Sequence, residues 1–135
     1  VIVIDSNVIV PLLITTEKSS ISEKIIQKDP SWISAILVKS EVKSALTLYF
    51  RKGLISADSF TQLNYNLELI LSKRLHETDS NLHLNSIISS NCSSYDCEFI
   101  ALAQAFNCKL ITWDKKIVSE FPQIAIKPED FLMNY

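Results

Sequence analysis

Apolar positions follow two rhythms along the chain. Val1-Ile2-Val3-Ile4 is an unbroken β-branched run that ends at Asp5. It lacks polar alternation, so it predicts a strand buried on both faces, as parallel strands are. Asp5, Ser6 and Asn7 are helix-start residues, and Pro11 fits an early turn or a break. Ser19 to Lys28 has helical spacing, with Ile21, Ile25 and Ile26 on one face. Ser20 and Glu23 stand at capping-box spacing, and Asp29-Pro30 ends the segment. Trp32 to Ile36 predicts a second short strand. A helix from Val38 to Lys52 follows, stopped by Gly53. Ala57 to Leu75 predicts another helix, with Phe60, Leu63, Leu67, Ile70 and Leu71 inward, and Leu82 to Ser89 a shorter one. Ser93-Ser94 caps a helix from Tyr95 to Phe106, whose apolar face runs through Phe99, Ile100, Leu102, Ala103 and Phe106. Lys109 to Thr112 and Ile124 to Ile126 read as strands around a short helix from Asp114 to Glu120, and Pro128 opens a closing helical turn.

Strands alternating with helices predict an α/β fold with a mostly parallel sheet. The 135 residues show no repeat and no linker, so a single domain over 1–135 is expected. A single glycine excludes a Walker-type phosphate loop and a dinucleotide fingerprint. The formal charge of -2 argues against a generally basic nucleic-acid-coating surface and leaves room for a local basic patch. Cys92, Cys97 and Cys108 form no C-x-x-C pair, which fits reduced thiols in a cytoplasmic protein. His76 and His83 have no cysteine near them in sequence, which argues against zinc. Apolar stretches such as Ile9 to Ile14 fall far short of the about 20 residues that span a bilayer, so no membrane is expected. No signal peptide is visible. The chain begins at Val1 and its one methionine is Met133, so an initiator is expected upstream.

The acidic residues carry the chemistry. Asp5 follows the first strand directly, and Asp114 follows the Lys109 to Thr112 strand with only Trp113 between. Glu41 and Asp96 lie in the first turns of their helices. In parallel α/β sheets, ligands bind beyond the carboxyl ends of the strands, where the following helices also begin. Taken singly, each acid has an ordinary explanation as a helix cap, a dipole partner or a solvated residue. Together at one edge, four carboxylates repel unless something neutralises them. A hard divalent cation with oxygen ligands does so. Such a site polarises a phosphate ester and generates hydroxide near neutral pH.

Val1-Ile2-Val3-Ile4-Asp5-Ser6-Asn7-Val8, Ser40-Glu41-Val42, Ser94-Tyr95-Asp96-Cys97 running into Ile100-Ala101-Leu102-Ala103, and Leu110-Ile111-Thr112-Trp113-Asp114-Lys115 resemble the four motifs of PIN-domain nucleases. Size and motif order resemble the toxin ribonucleases of the VapBC toxin–antitoxin type. The resemblance covers nearly the whole chain. It implies a PIN-like α/β/α sandwich, an acidic quartet of Asp5, Glu41, Asp96 and Asp114 that holds Mg²⁺ or Mn²⁺, and Asn7 and Thr112 as supporting polar residues. It further implies metal-dependent cleavage of RNA, a homodimer and an inhibitory antitoxin protein. Cys97 stands where the family commonly has another small residue, and Trp113 is bulkier than many residues at its position.

Lys115 and Lys116 are candidates for RNA phosphate contacts, and Trp113 for stacking on a base. Trp32, Phe99 and Phe106 fit core positions, and His76 and His83 are expected away from the quartet. Other functions remain as alternatives. A PIN ribonuclease of RNA processing shares every motif. A catalytically silent PIN scaffold usually lacks an acid, and none is missing here. A receiver-type signalling domain needs adjacent acids after the first strand and an acid after a middle strand; Asp5-Ser6-Asn7 and Trp32 to Ile36 supply neither. A haloacid-type phosphatase needs Asp where Asn7 stands.

Overall fold

The computed structural model describes residues 1–135. Five short strands, β1 (Val3–Ile4), β2 (Ser34–Ala35), β3 (Leu75–His76), β4 (Leu110–Ile111) and β5 (Ala125–Ile126), alternate with helices. The helices are α1 (Ser6–Leu13), α2 (Ser19–Lys28), α3 (Val38–Arg51), α4 (Ala57–Leu71), α5 (Ser80–Ile88), α6 (Ser94–Ala105), α7 (Lys115–Glu120) and α8 (Pro128–Asn134). β4 pairs in parallel with β1 and β5, and β2 pairs in parallel with β3. The two pieces of sheet meet at a parallel Val3–Ile33 bridge, where the Ile4 N–H donates to the Ile33 carbonyl (3.0 Å). The strand order is therefore β3-β2-β1-β4-β5.

That order decides where the helices go. Crossovers between parallel strands are right-handed. The chain steps outward from β1 to β2 to β3, which puts α1 to α4 on one face. It then returns across the sheet to β4 and β5, which puts α5, α6 and α7 on the other. The contacts agree. α6 lies against β1, β2 and β4 and is backed by α5, while α1 packs on α2, α3 and α4. The fold is an α/β sandwich around a parallel sheet. Between β1 and β4 the chain leaves in opposite directions, which opens a crevice at their carboxyl ends.

Short strands suffice because they are buried completely. Val3, Ile4, Leu110 and Ile111 are fully inaccessible, and they join Phe99, Ile100 and Leu102 of α6, Val8 and Ile9 of α1, and Val38, Val42 and Leu46 of α3 in one core. Burial of each such side chain is worth about 1.5–3 kcal/mol. α6 is buried nearly all round because sheet and α5 enclose it. No helix is long and apolar enough to cross a membrane.

Several local expectations are corrected. The helix expected to reach Leu75 ends at Leu71, where Lys73 adopts a left-handed φ of 64° and turns the chain. Leu75 then begins β3, a strand absent from the sequence pattern. α2 begins without a capping box: its N-cap is Lys18, and Ser19 Oγ instead accepts from the Thr16 N–H (2.9 Å). Pro11 lies inside α1 and does not break it. Phe106 falls just past α6 and is 41% exposed, edge-on to His76 with ring centroids 5.0 Å apart.

Arg74 secures the unforeseen strand. Its Nη1 donates to the carbonyls of Pro30 (2.9 Å) and Trp32 (2.8 Å), and its guanidinium lies 4.1 Å from the centre of the Trp32 ring. Arg74→Ala should lower stability by about 1–3 kcal/mol. Arg74→Lys should recover only part of it, because an ammonium lacks the planar fork. Urea denaturation should show a lower midpoint at unchanged slope for both variants.

Candidate active site

The crevice between β1 and β4 is closed by one hydroxyl. Asp5 leaves β1 as the N-cap of α1, its own N–H donating to the Ile111 carbonyl of β4 (3.1 Å). Its Oδ1 accepts from the Ser6 N–H (2.7 Å), and its Oδ2 accepts from the Thr112 hydroxyl (2.6 Å). Thr112 Oγ1 in turn accepts from Asn7 Nδ2 (3.2 Å) and from the Asp114 N–H (3.0 Å). Asn7 Oδ1 accepts from the Trp113 N–H (3.2 Å), which fixes the orientation of that amide. The Thr112 hydroxyl has one hydrogen and two lone pairs, and all are used. Asp114 caps α7 through Oδ1, which accepts from the Ile117 N–H (3.0 Å).

Asp96 enters from the other face of the sheet. Ser93 Oγ accepts from its N–H (3.1 Å), so it sits in the first turn of α6 with the helix dipole behind it. Glu41 comes from the first turn of α3. These acids feel one another. Burial pushes the Asp5 carboxyl up, and the Asp96 charge adds to this; hydrogen bonds from Thr112 and Ser6 oppose it. Burial also raises Asp96, with the Asp114 charge behind it, while Ser93 and Lys116 act in the opposite direction. Glu41 is pushed up to about 7 by burial, then by the charges of Asp5, Asp96 and Glu98. Its Oε1 is buried with no hydrogen-bond partner. The Ser6 hydroxyl eases Glu41, but its one hydrogen is directed at Asp5 Oδ1 (3.3 Å). No three His, Cys, Asp or Glu side chains stand at metal-ligand spacing. The four acids are thus neighbours in charge without forming a closed ligand cage.

Residues 2–125 match the PIN domain family. The chain belongs to that family. It is similar to Ribonuclease VapC3 of Pyrobaculum aerophilum, at 24% identity over 126 residues, covering 91% of this chain and 96% of that protein. Two solved structures share the fold. FitAcB from Neisseria gonorrhoeae matches with a TM-score of 0.76 at 14% identity, over 96% of this chain and 99% of that one. A toxin–antitoxin complex from Klebsiella pneumoniae matches with a TM-score of 0.73 at 14% identity, over 95% and 98%.

The residues around the four acids divide by charge. Lys115 and Lys116 are exposed at the start of α7 and free of salt bridges, and Lys116 reaches Asp96 with its charge. Lys39 and Lys43 turn away from Glu41 and approach Glu68 of α4 at 2.8 and 4.0 Å. Trp113 donates its indole N–H to Glu129 Oε1 (2.6 Å), and Lys18 lies 4.8 Å from its ring centre, so one face is covered. Cys97 is fully buried and its thiol is pushed up by burial, which leaves it unsuited as a nucleophile. Sequence reasoning missed Ser6 and Glu98. His76 and His83 line a groove with Ser40 and Glu98 that includes none of the four acids. The Ser6 signal was its place directly after Asp5; Glu98 carried none.

Two predictions follow from this geometry. Thr112→Val leaves buried Asp5 Oδ2 without its donor and should cost about 1–3 kcal/mol. Thr112→Ser should restore most of it, both read by denaturant unfolding. The second concerns pH in metal-free protein. Glu41 binds its proton more tightly folded than unfolded, so its contribution is full below about 4.5 and is lost as pH rises through about 7. Glu41→Gln should flatten that fall and raise the melting temperature at pH 8, and a variant as pH-sensitive as wild type would contradict it.

Proposed function

We propose that this PIN domain is a metal-dependent endoribonuclease that hydrolyses RNA phosphodiester bonds at the Asp5, Glu41, Asp96 and Asp114 cleft, and that it is the toxin of a type II toxin–antitoxin pair. One observation carries the metal dependence: the buried, unpartnered Oε1 of Glu41, set among the charges of Asp5 and Asp96. Buried polar atoms in folded proteins have partners, and an orphan among like charges calls for a proton or a cation. Mg²⁺ or Mn²⁺ fits the all-oxygen donor set and takes only one or two carboxylates directly, keeping several waters, so a loose set of acids suits it. When bound, such an ion polarises the phosphate and makes water more acidic.

Asp5, Glu41, Asp96 and Asp114 would together hold the ion, directly or through its waters. Thr112 and Asn7 fix Asp5 and the Asp114 backbone. Lys115 and Lys116 meet the phosphates of the RNA. A base stacking on Trp113 takes the ring face opposite Lys18. The toxin assignment rests on the likeness to Ribonuclease VapC3 and to the Klebsiella toxin–antitoxin complex. It brings an antitoxin partner and a homodimer working in the cytoplasm, with residues 1–135 as one PIN-like domain.

Asp5→Asn and Asp96→Asn should each reduce single-turnover RNA cleavage in Mn²⁺ by orders of magnitude while leaving the fold intact. Lys116→Ala should weaken RNA binding more than turnover and make binding less salt-dependent. Mn²⁺ should raise the melting temperature of wild type, more at pH 8 than at pH 6, and much less in Asp96→Asn. Asp96→Asn as active as wild type, or a melting temperature indifferent to metal, would overturn the assignment.

A further inference from the structure

A polar groove of about 540 Å³ opens beside the acids, at the carboxyl ends of β2 and β3. Ser40, His76, Glu77, Thr78, His83 and Glu98 line it. None of the four acids lines it, but Ser40 adjoins Glu41 in α3, Glu98 stands one residue beyond Cys97 from Asp96 in α6, and the charge of Glu98 reaches the Glu41 carboxyl, so the groove neighbours the proposed cleavage centre. Its volume lies in the range of small-molecule sites, roughly 300–1,000 Å³.

The lining selects what can enter. No lysine or arginine lines the groove, and two carboxylates do, so an anionic phosphate is disfavoured there. The exposed Lys115 and Lys116 stand elsewhere, on α7. Carboxylates accept hydrogen bonds and do not donate them, so a favoured guest carries donors. His83 is held in place: its Nε2 lies 2.6 Å from the Ser94 carbonyl, which only accepts, so that nitrogen carries the hydrogen. His76 is braced edge-on by Phe106. Two fixed imidazoles provide flat surfaces of the kind on which unstacked RNA bases rest. A flat, neutral guest with donors on its edge is a nucleobase. Guanine presents two adjacent donors, N1–H and N2–H, on its Watson–Crick edge, matching the two oxygens of one carboxylate.

We propose that this groove is a subsite for a guanine base flanking the scissile phosphate, with Glu98 accepting from its Watson–Crick edge and His76 and His83 stacking against it. The subsite rests on the nuclease reading for its place beside the cut, and two measurements keep the two apart. In the first, guanosine, inosine and uridine are titrated separately into the metal-free full chain while the imidazole resonances of His76 and His83 are followed by NMR. Guanosine should shift both, inosine should shift them less because it lacks the N2 amine, and uridine should leave them in place. The isosteric variant Glu98→Gln should lose the guanosine response. Equal responses to all three nucleosides, or an unchanged response in Glu98→Gln, would overturn the subsite.

In the second, short single-stranded RNAs carrying guanine or inosine at each position next to the cut are cleaved in Mn²⁺ under single-turnover conditions. Guanine should be preferred about tenfold or more at one flanking position, the worth of one hydrogen bond to a charged group. The guanine-to-inosine ratio should fall towards one in Glu98→Gln. A loss of the same factor on both RNAs would assign Glu98 to the metal-holding acids and overturn its role in base selection. Guanosine binding without any metal-dependent cleavage would keep the base site and remove the nuclease. Cleavage without guanine preference would keep the nuclease and remove the subsite.

Discussion

The hydrogen bond from the Thr112 hydroxyl to Asp5 joins the two strands at the point where the chain parts. β1 and β4 run side by side, but α1 leaves on one face of the sheet and α7 on the other, so past the last ladder bond, from the Asp5 N–H to the Ile111 carbonyl, side chains hold their exits together. The Thr112 hydroxyl does this with three partners, Asp5, Asn7 and the Asp114 backbone, and the Asn7 amide adds the Trp113 N–H. It is also the largest of the influences that oppose the burial of the Asp5 carboxyl. The same bond therefore holds the crevice in shape and works against the rise that burial imposes on its deepest acid.

The acids around it are a liability to the fold. Burial and mutual repulsion raise Asp5, Glu41 and Asp96 together, so each is held in the folded state less comfortably than in water. Cations that neighbour Glu41 in sequence do not relieve this. Lys39 and Lys43 lie two residues to either side of it, and positions two apart on a helix point in different directions. Both turn to Glu68, in pairs too exposed to add much stability. The fold tolerates the strain because its core is elsewhere and large, with twenty-five buried residues in one cluster. Sites that do chemistry are commonly held at such a cost.

Charge is also divided around the cleft. Free lysines stand at the start of α7 next to Asp96, whereas the groove beside Glu41 offers carboxylates, hydroxyls and imidazoles. Anchoring of the two borders differs too. α7 is pinned through Asp114 to the strand exit, and the groove wall is pinned through His83 to the start of α6.

Much of this was legible in the sequence where the signal is local. The β-branched run before Asp5, the Ser93 cap before Asp96, the apolar face of α6 and the short strand before Thr112 each declare themselves within a few residues, because periodicity and capping act between near neighbours. The positions of the four acids at the starts of α1, α3, α6 and α7 were legible for the same reason. The tertiary structure decided what depends on residues far apart. β3 exists because Arg74 and the Ser34–Leu75 pairing hold it against β2, and Lys73 makes its turn without the glycine that would have announced it. Phe106 lost its place in the core when α6 ended one residue earlier. The Thr112 network links positions 105 and 107 residues apart, and the groove unites α3, β3, α5 and α6. The orphaned oxygen of Glu41 depends on where two lysines turn and on which acid one serine hydroxyl serves, and chain folding alone sets both.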